Sequence, residues 1–182
     1  MHWVLYGALI TSLALLYFRG LAHLLTDVDD AFTFNANQPV SQNFRNFFTL
    51  SAQWAGRPTS ALFFFLGSML WGNDPFWFHV LSVSIHTLAS FALALALCVM
   101  GFSRPLSFLA GALFLVNTSH FQAVHWISAL MYPLYMLFML GFLIGFVRFS
   151  ATHRPLWAVE ATISLVAAVL ANIAAVSVVV FC

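Results

Sequence analysis

The amino-acid sequence predicts an all-α, polytopic membrane protein with about five transmembrane helices and one or two amphipathic helices at the membrane surface. Of its 182 residues, 63 % are hydrophobic and only 6 % are charged, and the apolar residues fall in long runs. A soluble domain carries about 25 % charged residues, because its large surface stays in contact with water. The composition therefore excludes a soluble enzyme, a disordered chain and, with a net charge of +1, a nucleic-acid binder. The predicted partners are the lipid bilayer and other membrane subunits.

The first half of the chain contains one predicted span and a long polar loop. A helix needs about 20 mostly apolar residues to cross a bilayer. Residues 3–18 are predicted to be a retained first span, because they lack the basic start and the cleavage site of a signal peptide. Residues 19–75 form the loop. Within it, residues 43–54 carry an apolar stripe and residues 60–71 are too short to cross, so both are predicted to lie at the interface as helices.

The second half contains four further predicted spans, separated by short turns and one polar patch. In a five-span arrangement, Arg104, Arg148 and Arg154 all lie in short connections on one side of the membrane. Basic residues in short loops favour the cytoplasmic side, which places the N-terminus in the cytoplasm and loop 19–75 on the periplasmic or luminal side. The four spans comprise residues 76–100, 106–117, 126–149 and 156–182.

The first candidate for chemistry is the acidic segment that follows the first span. Asp29 and Asp30 are adjacent, and neighbouring carboxylates repel each other, which raises the pKa of one of them. Such a carboxylate suits a general base that takes a proton from a hydroxyl. The alternative is structural: Thr26 and Asp29 have the spacing of a helix cap.

The second group of candidates is a set of histidines and one acid near or within the spans. His79 and His86 are seven residues apart on one helix face, about 10 Å along the axis, which is too far for one shared metal ion. A hydrogen bond to a neighbouring helix is favoured over pigment or haem ligation at His86. His120 belongs to a polar patch where a structural role is the default. Glu160, close to Arg154, is predicted to snorkel to the interface.

Several short motifs follow one another in the order found in a family of membrane enzymes. Asp29-Asp30 is followed by Asn35 or Asn37, then by Arg57-Pro58 before a short apolar helix. Phe78-His79 and His86 begin the next span. The run Leu113 to Ile127 then resembles a pattern that reads Leu-Phe-Ala-Val-His-Pro-x-His-x-Glu-Ala-Val-x-Trp-Ile. Over residues 15–150, the chain resembles the N-terminal module of GT-C membrane glycosyltransferases, in the branch of the O-mannosyltransferases with tetratricopeptide repeats and their bacterial relatives.

The resemblance implies transfer of a sugar, with inversion, from a polyprenyl-phosphate donor to a hydroxyl on the non-cytoplasmic face. By this likeness Asp29 or Asp30 is the catalytic base, and Arg57 and Arg45 pair with the donor phosphate as charge develops on it. The remaining candidates for substrate binding are His79, His86, His120 and Gln122. No cofactor and no metal site are predicted, and a divalent metal ion stays an open alternative.

The chain also departs from the family pattern. The family His-Pro is Asn117-Thr118 here, its Glu is Gln122, its Asn is Ser82, and its Arg after Trp-Ile is Leu130. These changes favour an alternative function: a catalytically inactive, GT-C-derived accessory subunit of a larger membrane complex, pigment-bearing or energy-transducing. A small transporter is the third alternative. The sequence has neither the paired intramembrane charges nor the inverted repeat that are typical of transporters, which counts against it. Because the family module has further helices, residues 1–182 alone are expected not to turn over substrate.

Overall fold

The computed structural model describes residues 2–17, 57–72, 74–117, 119, 121–172 and 175, which form helices and turns without any strand. The prediction of an all-α fold is therefore confirmed for this part of the chain. The predicted interfacial helix 43–54 and most of loop 19–75 lie outside the described residues. The helices are α1 (His2–Tyr17), α2 (Pro58–Trp71), α3 (Pro75–Val99), α4 (Arg104–Val116), α5 (Phe121–His125), α6 (Met131–Thr152) and α7 (Pro155–Ala171), with a 3₁₀ turn at Ile127–Ala129.

Prolines mark the beginnings of four of these helices. Pro58, Pro75, Pro105 and Pro155 each occupy the first or second helical position of α2, α3, α4 and α7. The first turn of a helix has backbone N–H groups without intrahelical partners, so the missing N–H of proline costs nothing there. Asp74 adds a cap to α3, because its carboxylate accepts a hydrogen bond of 3.0 Å from the Phe76 N–H.

Two helical segments of the described chain are long and apolar enough to cross a membrane. They are Pro75–Val99, with 25 residues, and Ile127–Thr152, with 26 residues. Helices α1, α4 and α7 have 16, 13 and 17 residues. At 1.5 Å per residue, α4 spans about 20 Å, against about 30 Å of hydrocarbon in a bilayer. Within the described residues, two helices therefore reach full spanning length.

Helix α3 lies at the centre of the described bundle, and α1, α2, α4, α5 and α6 all pack against it. Helix α7 pairs with α6 along its length and also contacts α2. At this second contact, the Ser60 hydroxyl donates a hydrogen bond of 3.1 Å to the Ala171 carbonyl. One apolar cluster joins α2, α3 and α6 and consists of Phe64, Phe78, Ile85, Ile127, Leu130, Leu134 and Ala171.

Helix α1 packs on α3 and α4 through a cluster of aromatic rings. The rings of Tyr6 and Phe108 stack with centroids 4.3 Å apart, and Trp3 meets Phe91 and Phe108 edge-on at 5.4 and 5.0 Å. Such pairs add about 0.5–1.5 kcal/mol each beyond the area they bury. Ile10 and Ala14 extend this contact along α1 and are buried in the same cluster, so the rings and these two side chains together dock α1.

Candidate functional site

A cleft opens between the middle of α3, the end of α4 and the start of α6. Its volume is about 240 Å³. Aromatic and small side chains form most of its wall, and His86 provides the buried polar group at its base. The residues that line it include His86, Phe114, Ser119, Ala123, Tyr132 and Met136.

His86 is held in place by the end of α4. Its side chain is 2 % exposed, and Nε2 lies 3.2 Å from the carbonyl oxygen of Leu115. This carbonyl belongs to the last turn of α4, where carbonyls lack an intrahelical partner. A carbonyl only accepts hydrogen bonds, so Nε2 carries the proton in this contact. The imidazole also stacks on Phe114, with ring centroids 5.0 Å apart, which fixes its plane.

The segment after α4 turns back toward the cleft. The side-chain oxygen of Asn117 accepts a hydrogen bond of 3.0 Å from the Ser119 N–H, which is a turn typical of asparagine. Ser119 and Ala123 consequently form one wall of the cleft. Part of the run that carries the family resemblance therefore lies beside His86.

His79 and Ser82 share the buried face of α3 with His86 but do not line the cleft. Their exposed fractions are 2 % and 0 %. The Ser82 hydroxyl has no hydrogen-bond partner within the described part of the chain. An unsatisfied buried hydroxyl costs about 1–3 kcal/mol, and no group among the described residues offsets this cost at Ser82.

The structure does not gather the other predicted site residues at this cleft. Arg57 precedes α2 and is half-buried, and Gln122 is exposed on α5; neither lines the cleft. The remaining predicted site residues, which lie outside the described part of the chain, are Asp29, Asp30, Arg45 and His120. Among the residues described, no cluster of three or more His, Cys, Asp or Glu side chains could hold a metal ion.

Sequence reasoning missed two aromatic residues of the site and the orientation of one acid. Tyr132 and Tyr135 line the cleft, but in the sequence they resemble ordinary span residues. The signal that could have found them is the Tyr-Pro-Leu-Tyr cluster, which begins seven residues after the end of the polar patch at His125. Glu160 was expected to snorkel near Arg154, and this is wrong, because its carboxyl group turns toward α6 instead.

No protein-family model, no curated protein and no solved structure matches the chain. In its described part, the chain is a helical protein with two helices of spanning length and an aromatic cleft that a buried histidine lines.

Proposed function

We propose that the chain is the membrane-embedded module of a GT-C-type glycosyltransferase and that it binds a polyprenyl-phosphate sugar in the cleft beside His86. The observation that carries the proposal is the composition of this cleft. Ligand sites combine mostly apolar walls with a few fixed polar groups. Phe114 and Met136 suit an isoprenoid chain, and His86, Ser119 and Tyr132 suit the polar head of the donor.

In this proposal, the chemistry takes place at residues contributed by the polar loop. Asp29 or Asp30 removes the proton of the acceptor hydroxyl while the sugar carbon forms a bond to that oxygen. The bond from the sugar to the phosphate breaks, and Arg57 and Arg45 stabilise the charge that develops on the phosphate. The His86 cleft holds the donor and excludes water from it.

The donor-binding part of the proposal is tested by filling the cleft. The Ala123→Leu variant places extra bulk in the wall, and we expect it to reduce cross-linking to a photoreactive polyprenyl phosphate about tenfold, the equivalent of about 1.4 kcal/mol of binding. The measurement is photolabelling of the full-length protein in native membranes, with unlabelled polyprenyl phosphate as competitor.

Thr87→Val is the matched control for this experiment. Thr87 follows His86 in α3, but its hydroxyl donates to the Val83 carbonyl at 2.7 Å and it does not line the cleft. Photolabelling of this variant should equal that of the wild type. Donor binding at this cleft would be refuted if Ala123→Leu were labelled as strongly as the wild type. It would also be refuted if an isoprenol without a phosphate competed as strongly as polyprenyl phosphate does.

We further propose that the chain crosses the membrane five times with its N-terminus in the cytoplasm. Helices α3 and α6 have full spanning length, and α1, α4 and α7 would cross with the help of their flanking residues. Arg104, Arg148 and Arg154 then lie on the cytoplasmic side, as positive charges in short loops favour.

Single cysteines at Ser41 and Ser103 test this orientation. In a Cys98→Ala, Cys182→Ala background, an impermeant thiol reagent applied to intact cells should label position 41, which lies in the outward-facing loop 19–75, and spare position 103, which lies in a cytoplasmic turn. Permeabilised cells are the control, in which position 103 should also become labelled. The reverse pattern in intact cells would overturn the orientation and the placement of Asp29 and Asp30 on the outer face.

One observation favours the second candidate, an inactive accessory subunit. Leu130 replaces the Arg of the family pattern, and its side chain is 1 % exposed in the apolar cluster with Phe64 and Phe78. A core side chain thus stands where the resemblance implies a charged one. Donor photolabelling at the cleft without sugar transfer, together with co-purifying membrane subunits, would support this function over the enzyme.

A further inference from the structure

The Glu160 carboxyl group lies in a notch on the surface of α6. The notch is formed by Gly141 and Gly145, which are four residues apart and face α7. A Cβ atom built on Gly145 would overlap Glu160 Oε2, and one built on Gly141 would lie 3.4 Å from Oε1. Glycines at this spacing let two helices approach closely within a membrane. Here the space that they leave is filled by a carboxyl group.

The two oxygens of this carboxyl group have different surroundings. Oε1 accepts a hydrogen bond of 3.1 Å from the Ser164 hydroxyl, one turn further along α7. Oε2 is buried and has no hydrogen-bond partner within the described part of the chain. Glu160 as a whole is partly exposed, but a charge on the buried Oε2 would have no hydrogen-bond donor in the described part of the chain, which is costly in an apolar medium. A proton on Oε2 removes the charge and leaves the packing unchanged.

No charged group of the two helices is directed to Oε2. The guanidinium of Arg148 lies over the Trp157 ring, 5.8 Å from its centroid, and His153 and Arg154 are exposed in the turn between α6 and α7. Tyr132 and Tyr135 belong to the opposite end of α6. Helix α2 meets α7 at Ala171, three turns beyond Glu160.

We propose that Glu160 is a membrane-embedded proton-binding site, at which the bound proton keeps α6 packed on α7. The inference rests on the proposed membrane insertion and is independent of sugar transfer. Polar and ionisable residues inside a membrane are costly, and they characteristically mark functional sites. The ligand of this site is a proton taken up by Oε2.

A lipid-soluble carbodiimide provides the probe. The acid adds across one C=N bond: its proton goes to nitrogen, and its oxygen bonds to the central carbon. An oxygen-to-nitrogen acyl shift then gives a stable N-acylurea, with no leaving group.

We expect the lipid-soluble reagent to label Glu160 of the full chain in native membranes and a water-soluble carbodiimide to spare it. Labelling should fall as the pH is raised, since only the protonated acid reacts. The site of labelling is read by peptide mapping.

Four variants make the test specific. Glu160→Gln should abolish labelling, because the amide does not react with the carbodiimide. It keeps the shape and the neutrality of the protonated acid, so the thermal unfolding midpoint should be retained. Glu160→Ala should lower that midpoint. Gly145→Ala should displace the carboxyl group from the notch and expose it to the water-soluble reagent. Asp74→Asn removes an exposed carboxylate and should leave labelling of Glu160 unchanged.

The outcomes separate this inference from the proposed function. Equal labelling of Glu160 by the lipid-soluble and the water-soluble reagent would overturn the proton-binding proposal. A Glu160→Gln variant that is as unstable as Glu160→Ala would also overturn it, because the packing of α6 on α7 would then need the charge. Loss of the chain from washed membranes would instead refute membrane insertion. Failure of donor photolabelling at the His86 cleft would leave the Glu160 result unaffected.

Discussion

Replacing the catalytic base by its amide should reduce sugar transfer by about 10²–10⁴-fold, the contribution of a positioned acid–base group. The variants are Asp29→Asn and Asp30→Asn, introduced separately. An amide keeps the size of the side chain but cannot accept the proton of the acceptor hydroxyl. Transfer is measured with native membranes that contain the full-length protein and a panel of polyprenyl-phosphate sugars.

The two variants should differ strongly from each other, because adjacent side chains cannot occupy the same position beside the acceptor. Donor photolabelling should be retained in both, since the base acts on the acceptor. Asp27→Asn is the matched control: it removes a carboxylate from the same acidic segment and should leave transfer unchanged. A double Asp29→Asn, Asp30→Asn variant with wild-type turnover would remove both residues from the site.

Replacing Gly111 by alanine should destabilise the bundle by about 1–3 kcal/mol, the usual cost of overpacking. A Cβ atom at this position of α4 would overlap the Tyr6 hydroxyl and lie 2.8 Å from the Ser90 carbonyl oxygen. The Ser90 hydroxyl already donates a hydrogen bond of 2.7 Å to the Gly111 carbonyl, so α3 and α4 are in close contact here. Neither the stacked Tyr6 ring nor the backbone of α3 moves at low cost.

Equilibrium unfolding in mixed micelles measures this effect, with Gly7→Ala as the matched control. Gly7 is also helical, but a Cβ atom there meets nothing within 4 Å. Its replacement should leave the free energy of unfolding unchanged or raise it slightly, because alanine favours helix more than glycine does. Equal unfolding free energies for Gly111→Ala and the wild type would show that α3 and α4 do not pack closely at Ser90.

Local signals predicted the positions of helices well. The first predicted span, 3–18, corresponds to His2–Tyr17, and the prolines place the starts of the later helices. The start of the predicted span 126–149 differs from the structure. Trp126 is extended, with φ −91° and ψ 120°, and a 3₁₀ turn precedes α6. Pro133 explains the later start, because the first turn of a helix tolerates a residue without an N–H. The end at Thr152 is set by His153, whose φ is +50°.

The candidate site was less accessible to sequence reasoning, because its parts come from separate helices. The spacing of His79 and His86 predicted one shared helix face, and both side chains are buried on it. The cleft depends instead on the gap between the end of α4 and the start of α6, which no local pattern encodes. Glu160 shows the same limit: its partner Ser164 is local, but the notch belongs to another helix. The Gly141–Gly145 spacing was the available signal.

The docking of α1 determines when this protein can finish assembling during synthesis. Trp3 and Tyr6 leave the ribosome well before their ring partner Phe108, which belongs to α4. About a hundred residues separate the end of α1 from the end of α4. At about 5–20 residues per second, that interval is roughly 5–20 s. During it the rings of α1 can pack on Phe91 once α3 has been made, but Phe108 is still missing, so the stacked arrangement is complete only when α4 arrives.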